Sequence, residues 1–192
     1  MKLFKNVDIA DLNSILAKGI LSLDESENNN WEDGNRANNP TDCVYMFNPL
    51  GEENSFPNYG AALLEIEINN ARKVEMQKND AYNGKYEEWV APFVPAENIK
   101  AIYVPAIFRE RLESYIGTLR DIKRATFDKI TFVEIECMTY KIGEGFVKAN
   151  EEDINLLGST AAFFNSSFED CFLRATMPNR NVQDFYEFKY NF

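Results

Sequence analysis

In "AALLEIEI", residues 61–68, Leu64, Ile66 and Ile68 alternate with Glu65 and Glu67. A two-residue period of this kind predicts a strand with one face in the core and the other wet. "KLFKNV" at the start, "CVYMF" at 43–47, "EEWVA" at 87–91 and "IKAIYVP" at 99–105 predict further strands, the last two parted by the turn "PFVPAEN". The period changes in "DIADLNSILAKGI", where Ile9, Leu12, Ile15 and Leu16 fall on one helical face. Asp8 is the expected N-cap there and Gly19 the expected stop. The longest helical stripe runs from Pro105 to Lys123 through Phe108, Leu112, Tyr115, Ile116, Leu119 and Ile122. Pro105 suits a first helical turn, and Lys123 and Arg124 suit the end of the dipole. Beyond residue 125, "KITFVEIECMTYKIG" predicts one strand with a bend, followed by "GFVKAN". A helix opening at Asn150, another near 167–175 and a terminal edge strand complete the expectation. Two polar stretches, residues 22–42 and 48–60, read as long loops. The pattern is α+β with mixed strands: a core over residues 1–124 and a C-terminal α/β extension over 125–192 packed on it.

Composition narrows the chemistry. Of 192 residues, 45% are hydrophobic, with 15 Phe and 9 Tyr, so a proper core is expected. Lys and Arg number 20 against 31 Asp and Glu, a formal charge of −11, which disfavours tight non-specific binding to nucleic acid but leaves room for a local basic groove. Histidine is absent, which removes His-based triads, His general bases and His-ligated metals together. Cys43, Cys137 and Cys171 are an odd number of distant thiols with no CxxC pair, fitting a reducing compartment. No run is long and apolar enough for a membrane span, and acids interrupt the N-terminal stretch, so a cytoplasmic chain is expected. GxGxxG and Walker-type loops are also missing, so a Rossmann or P-loop reading fails. Glu65 with Glu67, and Glu134 with Glu136, have strand spacing that sets each pair on one face. Such pairs can bind Mg²⁺ or Ca²⁺, but without a third ligand close in sequence they read as solvated faces. Any reaction must run on carboxylates, hydroxyls, Lys, Arg or isolated thiols.

Four segments stand in an informative order: "LFKNVDIADLNSILAKGI", "VYMFNPLGEENSF", "GAALLEIEI" and "YEEWVAPFVPAENIKAIYVP". Together they resemble the ADP-ribosyltransferase-like family of DarT type over about residues 1–107. That resemblance implies split mixed β-sheets with flanking helices and NAD bound in the cleft between the sheets. It implies cleavage of the bond between nicotinamide and ribose, with ADP-ribose passed to a macromolecular acceptor, protein or nucleic acid. The oxocarbenium-like transition state is comparable to that of glycoside hydrolysis. The family's glutamate, which stabilises the ribosyl cation or helps deprotonate the acceptor, matches Glu87, eight residues before Pro95. Glu88, on the opposite face of the same strand, is the fallback. On pattern alone, paired glutamates beside a strand read as solvated.

The first motif departs from the family. Lys5 stands where a histidine or arginine would hold the NAD ribose, and Val7 where a threonine or serine would follow. A lysine lacks the planar fork of arginine, and valine donates nothing. Lys5 therefore has a second reading as a plain surface lysine. Arg36 is placed to clamp the NAD phosphates, or is an exposed loop arginine. Tyr45 and Phe47 share a strand face and suit stacking on nicotinamide, or core packing. Asn48 is a candidate amide contact, and Cys43 reads as a small apolar filler. An alternative of another class is a non-catalytic acidic binding protein or inhibitor, of the nucleic-acid-mimic type, on the same fold.

Overall fold

The computed structural model describes residues 1–7, 9–26, 40–49, 62–77, 86–118, 122–142, 145–148 and 186–190. Seven strands form its larger sheet: β1 (Lys2–Val7), β2 (Val44–Pro49), β3 (Ala62–Glu67), β4 (Glu75–Gln77), β5 (Tyr86–Ala91), β6 (Ile99–Pro105) and β7 (Ile130–Val133). Their order across the sheet is β4-β5-β2-β1-β3-β6-β7. Every pairing is antiparallel except β6 with β7. Short helices α1 (Leu12–Lys18) and α2 (Leu23–Ser26) follow β1, and the crossover that the parallel pair requires holds α3 (Arg109–Ser114) and α4 (Arg124–Phe127). The architecture is α+β.

The alternation expected in "ALLEIE" is realised in β3, where Leu64 and Ile66 are fully buried and Glu67 is exposed. Registers with β1 and β6 put Leu3, Leu64, Ile66 and Ile102 on one face. The Phe4↔Phe47 pairing puts Met46 on that face too. All are buried, and they share one core with Leu12 and Ile15 of α1 (Leu12–Lys18), Phe108, Leu112 of α3 and Phe127 of α4. Transfer of such side chains from water supplies about 1.5–3 kcal/mol each, so this face holds the sheet to its helices.

Several elements differ from the sequence expectation. The stripe from Pro105 to Lys123 is not one helix. Pro105 closes β6 in an extended conformation, Ala106–Phe108 form a 3-10 turn, and α3 ends by Ser114. Gly117, with φ 84°, adopts a left-handed conformation that ends the helical path. Phe108 and Leu112 are buried nonetheless, and Tyr115 and Ile116 pack on the core. Helix α1 is entered through a 3-10 turn at Ile9–Asp11, with Asp11 at its N-cap and no side-chain cap bond. The expected cap, Asp8, lies outside the described residues. "KITFVEIECMTYKIG" divides at Glu134 into β7 and β8 (Ile135–Ile142), which belong to different sheets. The larger sheet thus draws a strand from beyond residue 124. Strand β8 pairs with β9 (Gly145–Lys148) and β10 (Tyr186–Tyr190) in the order β10-β8-β9, so the terminal strand is an edge strand. The helices expected at Asn150 and near 167–175 lie outside the described residues. Among the described residues, no helix is long and apolar enough to cross a membrane.

Candidate functional site

Strand β1 is tied unequally to its two neighbours. Its register with β3 runs along the whole strand, from Lys2↔Glu67 to Val7↔Ala62. Against β2 it is in register at Phe4↔Phe47 alone. Main-chain carbonyls along the rest of this seam need partners from elsewhere. Lys5 supplies one: its ammonium donates to the Tyr45 carbonyl oxygen at 3.0 Å across the seam. Lys5 is half-buried and lies on the core side with Leu3 and Val7, so the reading as a plain surface lysine is corrected. Val7, at 7% exposure, is an ordinary core side chain.

Strand β2 is fully paired with β5 on its other side, from Val44↔Ala91 to Pro49↔Tyr86. This register separates the two glutamates. Glu87 stands opposite Asn48, and Glu88 stands opposite Phe47, so the acids point to opposite faces. Both are half-buried. The Glu87 Oε2 accepts a hydrogen bond from Asn48 Nδ2 at 3.1 Å and another from the Trp89 indole Nε1 at 3.3 Å. Glu87, Asn48 and Trp89 therefore form one cluster on the face that carries Met46. Trp89, in register between Met46 of β2 and Met76 of β4, packs partly against the core.

The other face gathers different groups. Phe47 is 5% exposed, and its ring lies 6.1 Å from that of Phe4, tilted by 30°. Phe47 is thus a core aromatic, and Tyr45 on the same face donates its hydroxyl to the Pro40 carbonyl at 2.9 Å. The Cys43 thiol is pushed up by burial first, with the charges of Asp42 and Glu88 adding; a hydrogen bond with Tyr45 and the charge of Lys5 oppose them. A thiol held protonated in this way is a poor nucleophile. Arg36 lies outside the described residues.

Farther along the sheet, Glu65 is more than a solvated strand acid. It pairs with the Lys2 ammonium at 2.9 Å and accepts from the Tyr103 hydroxyl at 3.0 Å. Burial, followed by the bond to Glu65 and its charge, pushes the Tyr103 phenol up. Glu67 carries a looser exposed pair with Lys100 at 3.6 Å. Among the described residues no group of three or more Cys, Asp or Glu side chains is arranged to hold a metal ion.

Of the residues singled out from the sequence, the fold thus brings Asn48 to Glu87 and sets Lys5 at the seam beside β2. It turns Glu88, Tyr45 and Phe47 to the far face. Trp89 escapes the sequence reading, although it follows Glu87 by two positions on a strand and must share its face. No family model, no curated protein and no solved structure matches this chain.

Proposed function

We propose that the protein is an ADP-ribosyltransferase-like enzyme of the cytoplasm that binds NAD and transfers ADP-ribose to a macromolecular acceptor. The observation that carries this reading is the Glu87 carboxylate, half-buried and held at one oxygen by Asn48 and Trp89. Both bonds converge on Oε2, which leaves Oε1 for a ribose hydroxyl and for the positive charge that grows on the sugar. In the reaction the bond from ribose C1′ to the nicotinamide nitrogen breaks, and its electron pair leaves with nicotinamide. A nucleophilic oxygen or nitrogen of the acceptor then bonds to C1′ and releases its proton. A fixed carboxylate beside the ribose favours that charge more in the transition state than in bound NAD, which is the condition for acceleration.

The seam between β1 and β2 supports the split-sheet architecture that goes with this activity. The two strands are neighbours in one seven-stranded sheet, and a single registered pair with a lysine ammonium reaching across it is the looser contact that a split between sheets calls for. Lys5 places a positive charge there, suited to a diphosphate. Val7 offers no hydrogen bond, so the ribose contact falls to Glu87.

Thermal melting with and without millimolar NAD tests binding. A ligand at 100 times its dissociation constant adds about 2.7 kcal/mol, and the midpoint rises accordingly. Incubation with labelled NAD tests transfer: wild type and Glu88→Ala label an acceptor, and Glu87→Ala does not. An unchanged midpoint together with absent label would reject the proposal. A second reading draws on the net charge of −11 and on the Lys5 ammonium being engaged with Tyr45: an acidic, non-catalytic binding protein on the same fold. That protein ignores NAD and binds a basic partner with an affinity that falls steeply with salt.

A further inference from the structure

Glu87 is held by two N–H donors from different strands, and both reach the same oxygen. Asn48 approaches from β2 at 3.1 Å, and Trp89 approaches along β5 at 3.3 Å. A glutamate at a half-exposed strand position ordinarily samples several rotamers, and one hydrogen bond leaves the carboxylate free to pivot. Two donors from separate directions fix both the position of Oε2 and the plane of the group. The indole is itself held, standing in register between Met46 and Met76 and packed partly on the core. A strand residue that only filled space here would need no ring N–H.

We propose that Trp89 and Asn48 are positioning residues for Glu87: they assign Oε2 a structural role and present Oε1 to the ligand. This rests on the ribosyl-transfer reading above, but the geometry makes a claim of its own, that the indole N–H depends on the Glu87 carboxylate. The positioning residues touch no reacting atom. Their effect on the reaction passes through Glu87, so losing them lowers turnover without weakening ligand binding in proportion.

Two measurements on the full chain test this separately. The first is the ¹H–¹⁵N indole resonance of Trp89, assigned by its disappearance in Trp89→Phe. Glu87→Ala removes the acceptor and is expected to move this resonance upfield, while Glu88→Ala leaves it in place. A resonance that ignores Glu87→Ala, or moves equally with Glu88→Ala, overturns the proposal. The second is NAD cleavage with water as acceptor. Trp89→Phe and Asn48→Ala are expected to lower kcat by about tenfold or more, since a small displacement of the carboxylate is enough, while KM stays within about twofold. The double variant Trp89→Phe with Glu87→Gln is expected to match Glu87→Gln alone; additive losses would mean that Trp89 acts independently and would overturn the proposal. If the wild type shows neither an NAD-dependent midpoint shift nor any cleavage or labelling with NAD, the ribosyl-transfer reading falls, and the indole resonance alone decides whether Trp89 holds Glu87.

Discussion

Replacing Gly19 by alanine isolates the contact that fastens α1 to the chain just after β5. Gly19 has φ 87° and ψ −177°, a region essentially reserved for glycine. A Cβ there would stand 2.5 Å from the Val94 carbonyl oxygen and 2.7 Å from a ring carbon of Phe93. Phe93 is 41% exposed and can swing away, but the Val94 carbonyl is main chain and cannot. The same carbonyl accepts from the Ile20 amide at 2.8 Å, and the Val94 amide donates back to Ile20 at 3.1 Å. The backbone conformation costs about 1–3 kcal/mol for a residue with a side chain. Weakening the two bridging bonds adds about 0.5–1.5 kcal/mol each at most. The smaller entropy of the unfolded alanine chain returns about 0.4–1 kcal/mol. The expected net loss is about 2–4 kcal/mol, or roughly 5–12 °C in Tm for a chain of this size. Gly117 provides the control: its φ is 84°, yet a Cβ would meet nothing within 4 Å, so Gly117→Ala bears the backbone term without the collision. That term is about 1–2 kcal/mol. Urea unfolding of both variants, followed by tryptophan fluorescence, gives the difference directly. If Gly19→Ala is no less stable than Gly117→Ala, the close approach of Val94 does not constrain this position and the reasoning is wrong.

Lys5→Met keeps the aliphatic stem and removes the donor to the Tyr45 carbonyl, so a loss of about 1–3 kcal/mol is expected, with faster amide exchange in β1 and β2; unchanged exchange along the seam would show that Lys5 does not close it. Asp11→Asn is expected to stabilise the fold at neutral pH, because burial pushes the Asp11 carboxyl above its ordinary 3.8 and its ionisation therefore disfavours the folded state. The stabilising contribution of Asp11 is full below pH 3.8 and is lost as pH rises through its folded value, so the advantage of the neutral amide vanishes in acid; chemical denaturation at both ends of that range checks it. The Tyr103 phenol is expected to titrate above 10.0, and Glu65→Gln to bring it only part of the way back, since burial is the larger cause; absorbance at the phenolate band reads both, and a full return would assign the shift to Glu65 instead.

The elements legible in the sequence are those whose period is reinforced by burial. The alternation of Leu64, Glu65, Ile66 and Glu67 survives intact because the face of Leu64 and Ile66 packs into the core shared with α1, α3 and α4. The helix expected from Pro105 to Lys123 fails for a local reason. An apolar stripe says which residues face the core, and Phe108 and Leu112 do, but it does not say how many turns connect them. The glycine at 117 becomes a stop only once its positive φ is known. The division at Glu134 is invisible in the sequence because both β7 and β8 have strand periodicity, and sheet membership is a long-range property. Glu65 reads as solvated in the sequence since its partners, Lys2 and Tyr103, are remote along the chain and meet it only through β1 and β6.

The two acids of "YEEWVAP" show why pairing register, more than residue type, decides a candidate site. In sequence Glu87 and Glu88 differ by one position and by nothing chemical. A strand places neighbours on opposite faces, so one residue of slip between β2 and β5 would exchange their environments completely. The register from Val44↔Ala91 to Pro49↔Tyr86 sets Glu87 against Asn48 and Glu88 against a buried phenylalanine. The first arrangement gives a carboxylate two N–H donors, from Asn48 and Trp89. Moving the register is therefore more damaging to the site than any conservative substitution within it. Such a slip of β5 would carry Ala91 and the partly buried Trp89 off the core face at the same time. With burial worth about 1.5–3 kcal/mol for each large side chain, core packing itself holds Glu87 where it is, and the site inherits its geometry from the hydrophobic pattern around it.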